Sequence, residues 1–242
     1  MPTDMDQAKN AVRTRIWDLL EREDAVPERG IHGRIPNFHG ADRAAELLAA
    51  LPVWADARVI KAVPDKAQEP VRALALDGGR LLYMAVPKLA DELPFYLLDP
   101  HDLSVPPSEA ASRDVAARIA HKVDVDHMQP VDLVVCGSVV VNGQGVRLGK
   151  GAGYSDIEVA LLQEAGLISG QTTIVTTVHG LQVVDEPLPE SEHDFRVDLI
   201  VTPDEVIPCG PPRRPPGVIW EHLSQEKIAS IPLLAARAAR RR

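Results

Sequence analysis

The chain has 242 residues, 45% of them apolar, with 26 Lys and Arg against 35 Asp and Glu and a formal net charge of −9. That length supports one sizeable core, and no low-complexity linker divides it, so a single domain over 1–242 is expected, with 224–242 as a C-terminal helical tail. The acidic balance argues against a nucleic-acid binder, two cysteines argue against a disulfide framework, and no run approaches the roughly 18 apolar residues of a membrane span, so a cytoplasmic setting is expected.

Asp4 and Gln7 have capping-box spacing, which predicts a helix from there to about Glu23 with Ala8, Val12, Ile16 and Leu19 on its apolar face. Lys9 and Arg13 stand one turn apart on an adjoining face, where both can reach a common anion. A second helix over 41–51 is closed by Pro52. Strand-like runs follow at 58–63, 71–76 and 80–86, the last two separated by the turn signal Asp77-Gly78-Gly79. Residues 94–107 read as irregular and 109–122 as helical. Then come a strand over 132–141, a glycine-rich loop, a helix over 155–165, and strands over 172–178 and 197–201. A proline-rich crossing at 209–216 leads to a final helix, interrupted near Pro232, that packs through Ile228, Ile231, Leu234 and Ala238. Near-continuous apolar strands interleaved with helices indicate an α/β fold: a three-layer α/β/α arrangement with a mostly parallel sheet, whose ligands sit at the carboxyl ends of the strands.

The glycine loop lies at such an end. Gly149, Gly151 and Gly153 let backbone N–H groups turn toward one point, Arg147 and Lys150 add full positive charge, and the following helix contributes its N-terminal dipole. Such a segment is built to hold an anion such as a polyphosphate, and Asp156 could hold the accompanying metal ion. Two common nucleotide fingerprints do not fit: Gly145 to Lys150 is one residue short of a P-loop, and a G-x-G-x-x-G count places Tyr154 or Leu148 at the last glycine. His179 and His193 lack metal-ligand spacing and read as turn or hydrogen-bond residues. The basic end, Arg237, Arg240, Arg241 and Arg242, reads as a solvated last helical turn, with an RNA-binding arm as the competing role.

The strand Asp132-Leu133-Val134-Val135, followed by Arg147-Leu148-Gly149, Gly151, Gly153-Tyr154 and Asp156, resembles the 5-formyltetrahydrofolate cyclo-ligase family, also called methenyltetrahydrofolate synthetases. The family signature is a D-L-[VI]-[VI] strand and then G-x-R-L-G-x-G-x-G-Y-Y-D, with Ser155 replacing the second tyrosine here. Leu188-Pro189-Glu190 through His193-Asp194, Val197-Asp198 and Thr202 is similar to its C-terminal block, and Lys9 with Arg13 to its N-terminal K-x-x-x-R. The resemblance implies a NagB/RpiA-like fold, ATP and Mg²⁺ as cofactors, and a reduced folate as the small-molecule substrate. It assigns the nucleotide phosphates to Lys9, Arg13, Arg147 and Lys150, together with Gly149, Gly151, Ala152, Gly153, Tyr154 and Ser155. It makes Lys9, Arg147 and Lys150 the catalytic cations, and Asp156 and Asp194 the metal ligands. The competing role for Asp156 is an N-terminal helix charge, and for Asp194 a turn or capping carboxylate. The implied reaction is ATP-dependent ring closure to 5,10-methenyltetrahydrofolate, which asks the protein for alignment and charge neutralisation rather than for a nucleophile.

Departures fall on the substrate side. Lys66 aligns with a glutamate that helps the family hold folate, and a cation cannot accept hydrogen bonds from a pterin; Asp65 or Glu69 is the available substitute. Gly137, Val141 and Asn142 replace the proline, phenylalanine and aspartate of a further family run. His32 to Phe38, Val178 to Asp185 and Pro216 to Trp220 resemble a branch, the methenyltetrahydrofolate synthase domain-containing proteins, which in animals append an RNA-recognition domain; no aromatic RNP-like segment occurs here. Arg34, Asn37 and Phe38 read as a pocket wall or as a capped loop with an apolar plug. Three functions follow: a cyclo-ligase acting on 5-formyltetrahydrofolate, an enzyme of the same mechanism acting on another formyl or amide compound such as a thiamine-related one, or a non-catalytic nucleotide- or RNA-binding module.

Overall fold

The structure, a computed structural model, describes residues 3–241. The first half runs α1 (Asp4–Arg22), α2 (Ala41–Ala49), α3 (Pro52–Asp56), β1 (Val59–Ala62), α4 (Glu69–Asp77), β2 (Leu81–Ala85), β3 (Phe95–Leu98), α5 (Pro107–Ala110), α6 (Arg113–Ile119) and β4 (His121–Val123). The second half runs β5 (Leu133–Cys136), β6 (Val140–Asn142), β7 (Arg147–Leu148), α7 (Tyr154–Glu164), β8 (Thr173–Thr177), β9 (Val183–Val184), β10 (Leu199–Val201), β11 (Val206–Pro208), α8 (Gln225–Ser230) and α9 (Pro232–Arg240). Eight strands form one sheet in the order β11-β10-β8-β5-β1-β2-β3-β4, and β7-β6-β9 form a small second sheet. Strands β10, β8, β5, β1 and β2 are mutually parallel, while β3, β4 and β11 add antiparallel edges. The mostly parallel α/β architecture expected from the sequence is the one observed.

Alternation along the central strands builds both faces. Ile60, Ala62, Leu133 and Val135 pack with Leu20 of α1, Leu48 of α2 and Val71 of α4. Val134, Cys136, Ile174 and Ile200 point the other way, onto Leu161 and Leu162 of α7 and Leu234 of α9. The side chains on either face are almost wholly removed from water, so the hydrophobic effect fixes the register of each strand. Lys61 falls between Ile60 and Ala62 and therefore points to the α7 face, where it meets Glu158 in a fully buried ion pair.

Several predicted elements change identity. The run 71–76 is not a strand but part of α4: Pro70 stands in the first turn, where its missing N–H costs nothing, and Val71, Ala75 and Leu76 form the buried helical stripe. Its six residues satisfy either period, and the Asp77-Gly78-Gly79 turn joins a helix to β2. Segment 94–107 contains β3, and 109–122 breaks into parts of α5 and β4 around α6, which starts after Ser112. The N-cap of α1 is Thr3 rather than Asp4, with Thr3 and Asp6 forming the reciprocal box. Pro52 opens α3 after α2 has ended. The predicted strand over 132–141 divides at Gly137-Ser138 into β5 and β6, which belong to different sheets. The final helix is interrupted at Pro232 as expected, and Ile231 and Leu234 are its buried contacts.

Candidate active site

The division between β5 and β6 builds the first part of the site. After β6, Asn142 closes a tight turn by accepting hydrogen bonds from the N–H groups of Gln144 and Val146 at 3.1 and 3.2 Å. The returning β7 pairs antiparallel with β6 and brings Arg147 back under the broken strand. There Arg147 donates from Nη2 to the Gly137 carbonyl at 3.2 Å and from Nε to Ser138 Oγ at 3.3 Å, and lies 4.7 Å from the Phe195 ring centre. Its Nη1 is 3.4 Å from Asp156 Oδ1. The guanidinium is thus fixed on three sides, with only 4% of the residue exposed.

The glycine loop wraps this cation. A Cβ on Gly149 would lie 2.6 Å from Arg147 Nη2, so no side chain fits there while Arg147 holds its place. Gly153 is the N-cap of α7 with φ +70°, a left-handed value, and no side chain caps the helix. The first turn of α7, Tyr154-Ser155-Asp156, therefore presents its N–H groups and the positive end of its dipole toward the loop.

Helix α1 supplies two more cations. Its buried stripe is Lys9, Arg13, Ile16, Trp17 and Leu20, so both cations lie on the packed face rather than beside it, and Ala8 is exposed. Lys9 and Arg13 are each 7% exposed. Lys9 Nζ reaches Asp194 Oδ2 at 2.5 Å and Ser191 Oγ at 3.0 Å. Asp194 also accepts from the Ser191 N–H at 2.6 Å, so it closes a turn and pairs with Lys9 at once. Arg13 donates from Nε to the Gly149 carbonyl at 2.7 Å, which ties the helix to the loop. Lys150, more exposed, lies 3.2 Å from Asp65 Oδ1.

The four cations and the glycine loop line one cleft of about 820 Å³ at the carboxyl ends of β1 and β2. The expected residues Lys9, Arg13, Arg147 and Lys150, the loop from Gly149 to Ser155, and the acids Asp156 and Asp194 all reach it. Charge in this cleft is unbalanced in both senses. Burial, and then the nearby charge of Arg147, push the Arg13 pKa down. Burial raises the Asp156 carboxyl, with Asp194 pushing it further and Arg147 opposing. Crowded, desolvated cations fit an anion, and a carboxylate held against ionisation fits a cation. Among the described residues no group of three or more His, Cys, Asp and Glu is arranged to hold a metal. The two acids expected as metal ligands, Asp156 and Asp194, both line the cleft.

Other sequence candidates lie elsewhere. Lys66 pairs with Glu28 at 2.9 Å and does not line the cleft, nor does Glu69; Asp65 does. Of the 32–38 segment, Gly33 and Ile35 reach the cleft, whereas Phe38 is packed in the core and Arg34 lies 4.0 Å from Glu28, so Arg34, Asn37 and Phe38 do not form its wall. His179 caps a short 3₁₀ turn by accepting from the Leu181 N–H. His193 lines the cleft with Nε2 3.6 Å from Asp194 Oδ1. At the basic end Arg237 pairs with Glu164 at 2.7 Å and Arg241 lies over Trp220, while Arg242 is outside the described residues. Sequence reading missed Glu158, Lys88 and Arg113, which also line the cleft, and the buried partner of Glu158, Lys61. A lone lysine inside the apolar strand Val59-Ile60-Lys61-Ala62 was the available signal.

Comparison with known proteins places this cleft in context. The model of the 5-formyltetrahydrofolate cyclo-ligase family matches residues 5–203. The chain is 39% identical to the methenyltetrahydrofolate synthase domain-containing protein of Mus musculus over 248 residues, covering 97% of this chain and 64% of that protein. It is 37% identical to the Homo sapiens protein of the same name, covering 99% of this chain and 63% of that one. The chain thus spans less than two thirds of the length of these curated relatives. Its fold is similar to the solved structure of Aquifex aeolicus 5,10-methenyltetrahydrofolate synthetase, with a TM-score of 0.54 at 21% identity, covering 87% of this chain and 95% of that one. On the family match across most of its length, the chain belongs to the 5-formyltetrahydrofolate cyclo-ligase family.

Proposed function

We propose that the chain catalyses Mg-ATP-dependent conversion of 5-formyltetrahydrofolate to 5,10-methenyltetrahydrofolate with release of ADP and phosphate. The observation that carries this is the convergence of Lys9, Arg13, Arg147 and Lys150 with the Gly149–Gly153 backbone and two acids in one cleft. When bound, Mg-ATP supplies the phosphoryl group that activates the formyl oxygen of the substrate. Arg147 and Arg13, held by backbone carbonyls, offer fixed positive charge that needs no reorganisation as negative charge moves onto phosphate oxygens. Lys150, the most exposed of the four, is free to exchange its Asp65 contact for phosphate. Asp156 and Asp194 are the residues that would hold magnesium.

Asp65 is the carboxylate available at the cleft wall to accept hydrogen bonds from the pterin, in place of the family's glutamate. The case for another formyl or amide substrate rests on Lys66, and Lys66 lies beside Glu28 outside the cleft. Incubation of the protein with ATP, Mg²⁺ and 5-formyltetrahydrofolate is expected to generate the methenyl chromophore. Its absence at high protein concentration would remove the folate assignment.

A further inference from the structure

A second cavity of about 320 Å³ opens beside the main cleft and shares with it Gly151, Ala152, Gly153, Asp156 and His193. Its far wall comes from residues 218–227, beyond the family match that ends at 203. Contacts at its start and beyond its end hold this part of the chain against α7. The Val218 N–H donates to Glu164 Oε1 at 2.9 Å, and Arg237 of α9 holds Oε2 of the same carboxylate at 2.7 Å. Between them Lys227 crosses to the glycine loop, where Nζ donates to the Ala152 carbonyl at 2.7 Å and lies 3.4 Å from the Tyr154 ring centre. Ile231 and Leu234, fully buried, anchor the helices that follow.

The chemistry of the cavity differs from that of the cleft. The cleft is lined by charged side chains of both signs and by the backbone of the glycine loop. The second cavity is walled by Ile157 and Ala160 of α7 on one side and by Val218, Ile219 and Leu223 on the other, with Lys227, His193 and His222 at its polar rim. An apolar slot with a few polar groups, at the small end of the roughly 300–1,000 Å³ range of ligand pockets, suits a flat heteroaromatic ring. Because its floor is the same loop that faces the phosphates, the ring and the phosphates can belong to one molecule.

We propose that residues 218–227 complete the nucleotide site as a base pocket: the purine ring of a nucleoside triphosphate lies between α7 and the Ile219–Leu223 wall, and Lys227 positions the loop beneath it. The proposal rests on the glycine loop holding phosphates, and the two can be separated experimentally. Binding of Mg-ATP and of inorganic tripolyphosphate with Mg²⁺ to the full chain is measured by calorimetry, for the wild type, Leu223→Trp, which fills the slot, and Ile219→Ser, which removes its apolar wall. Each substitution is expected to weaken ATP about tenfold or more while tripolyphosphate stays within about twofold. Both positions are only partly buried, and thermal unfolding reports whether each variant folds, so either one suffices if the other does not. Unchanged ATP affinity in a folded variant, or equal loss of both ligands, would overturn the base pocket alone. Failure of the wild type to bind either ligand would overturn the phosphate loop and the pocket with it.

Discussion

Lys9 and Asp194 are 185 positions apart in the chain and 2.5 Å apart in space, and their ion pair joins the first helix to the segment before β10 at the centre of the cleft. In the free protein each answers the other's charge. In the proposed complex they separate in function, the ammonium toward phosphate and the carboxylate toward magnesium.

Removing one partner leaves the other desolvated and unmatched. Lys9→Met and Asp194→Asn are each expected to destabilise the fold by about 3–5 kcal/mol, and the double variant to recover part of that loss. Denaturant unfolding of the four proteins measures the coupling. Purely additive losses would mean that the pair is not a unit.

Arg147→Lys keeps a charge but gives up the planar fork that reaches Gly137, Ser138 and Asp156 together. Turnover is expected to fall about 10²–10³-fold, the scale for losing one oriented donor to developing negative charge. Wild-type turnover in this variant would place the phosphates elsewhere.

Two glycines separate strain from crowding. An added Cβ at Gly153 meets nothing within 4 Å, so Gly153→Ala bears only the backbone cost of φ +70°, about 1–2 kcal/mol of stability. At Gly149 the added Cβ meets Arg147, so Gly149→Ala is expected to lose nucleotide affinity by displacing that guanidinium. Paired calorimetric and thermal measurements distinguish the two patterns.

The pH dependence follows from Asp156. Burial holds its folded-state pKa above the ordinary 3.8, so between those values the folded chain keeps a proton that the unfolded chain has released. Stability from this group is complete below 3.8 and is lost as pH rises through the folded value. Magnesium-nucleotide affinity should move the opposite way, strengthening as the carboxylate ionises. Asp156→Asn is expected to remove both slopes, which unfolding and binding titrations across pH would reveal.

On the substrate side, Lys66→Glu changes a residue outside the cleft and is expected to leave turnover nearly unchanged. Asp65→Asn, inside it, should raise the Michaelis constant for the substrate. The reverse ranking in steady-state assays would return Lys66 to the site.

How far the sequence revealed this site depends on how local each signal is. The glycine loop and its cations are contiguous and end a strongly apolar strand, so their role as one wall of a cleft was readable. The meeting of Lys9 with Asp194 was readable only as two family motifs, because nothing local in α1 points to residue 194. Short segments with two compatible periods misled: Val71 to Leu76 is apolar at all but Arg72 and so reads as a strand, and Pro70 decided for helix. The break at Gly137-Ser138 was read through because apolar residues flank it on both sides, Leu133 to Cys136 before it and Val139 to Val141 after it. What marks it is tertiary: the Gly137 carbonyl and the Ser138 hydroxyl both accept hydrogen bonds from Arg147. Lys61 escaped notice because its partner Glu158 is 97 positions away. The start of the wall at 218–227 falls in the branch-like run Pro216 to Trp220, but its place against the glycine loop is visible only once Lys227 is seen on the Ala152 carbonyl.

Calorimetric titration of Mg-ATP into the wild type and into Arg147→Ala tests the nucleotide cleft most directly. One saturable site per chain in the wild type, lost in a folded Arg147→Ala, is the expected result. A wild type that takes up no Mg-ATP, or an Arg147→Ala variant that binds it equally well, would contradict the assignment.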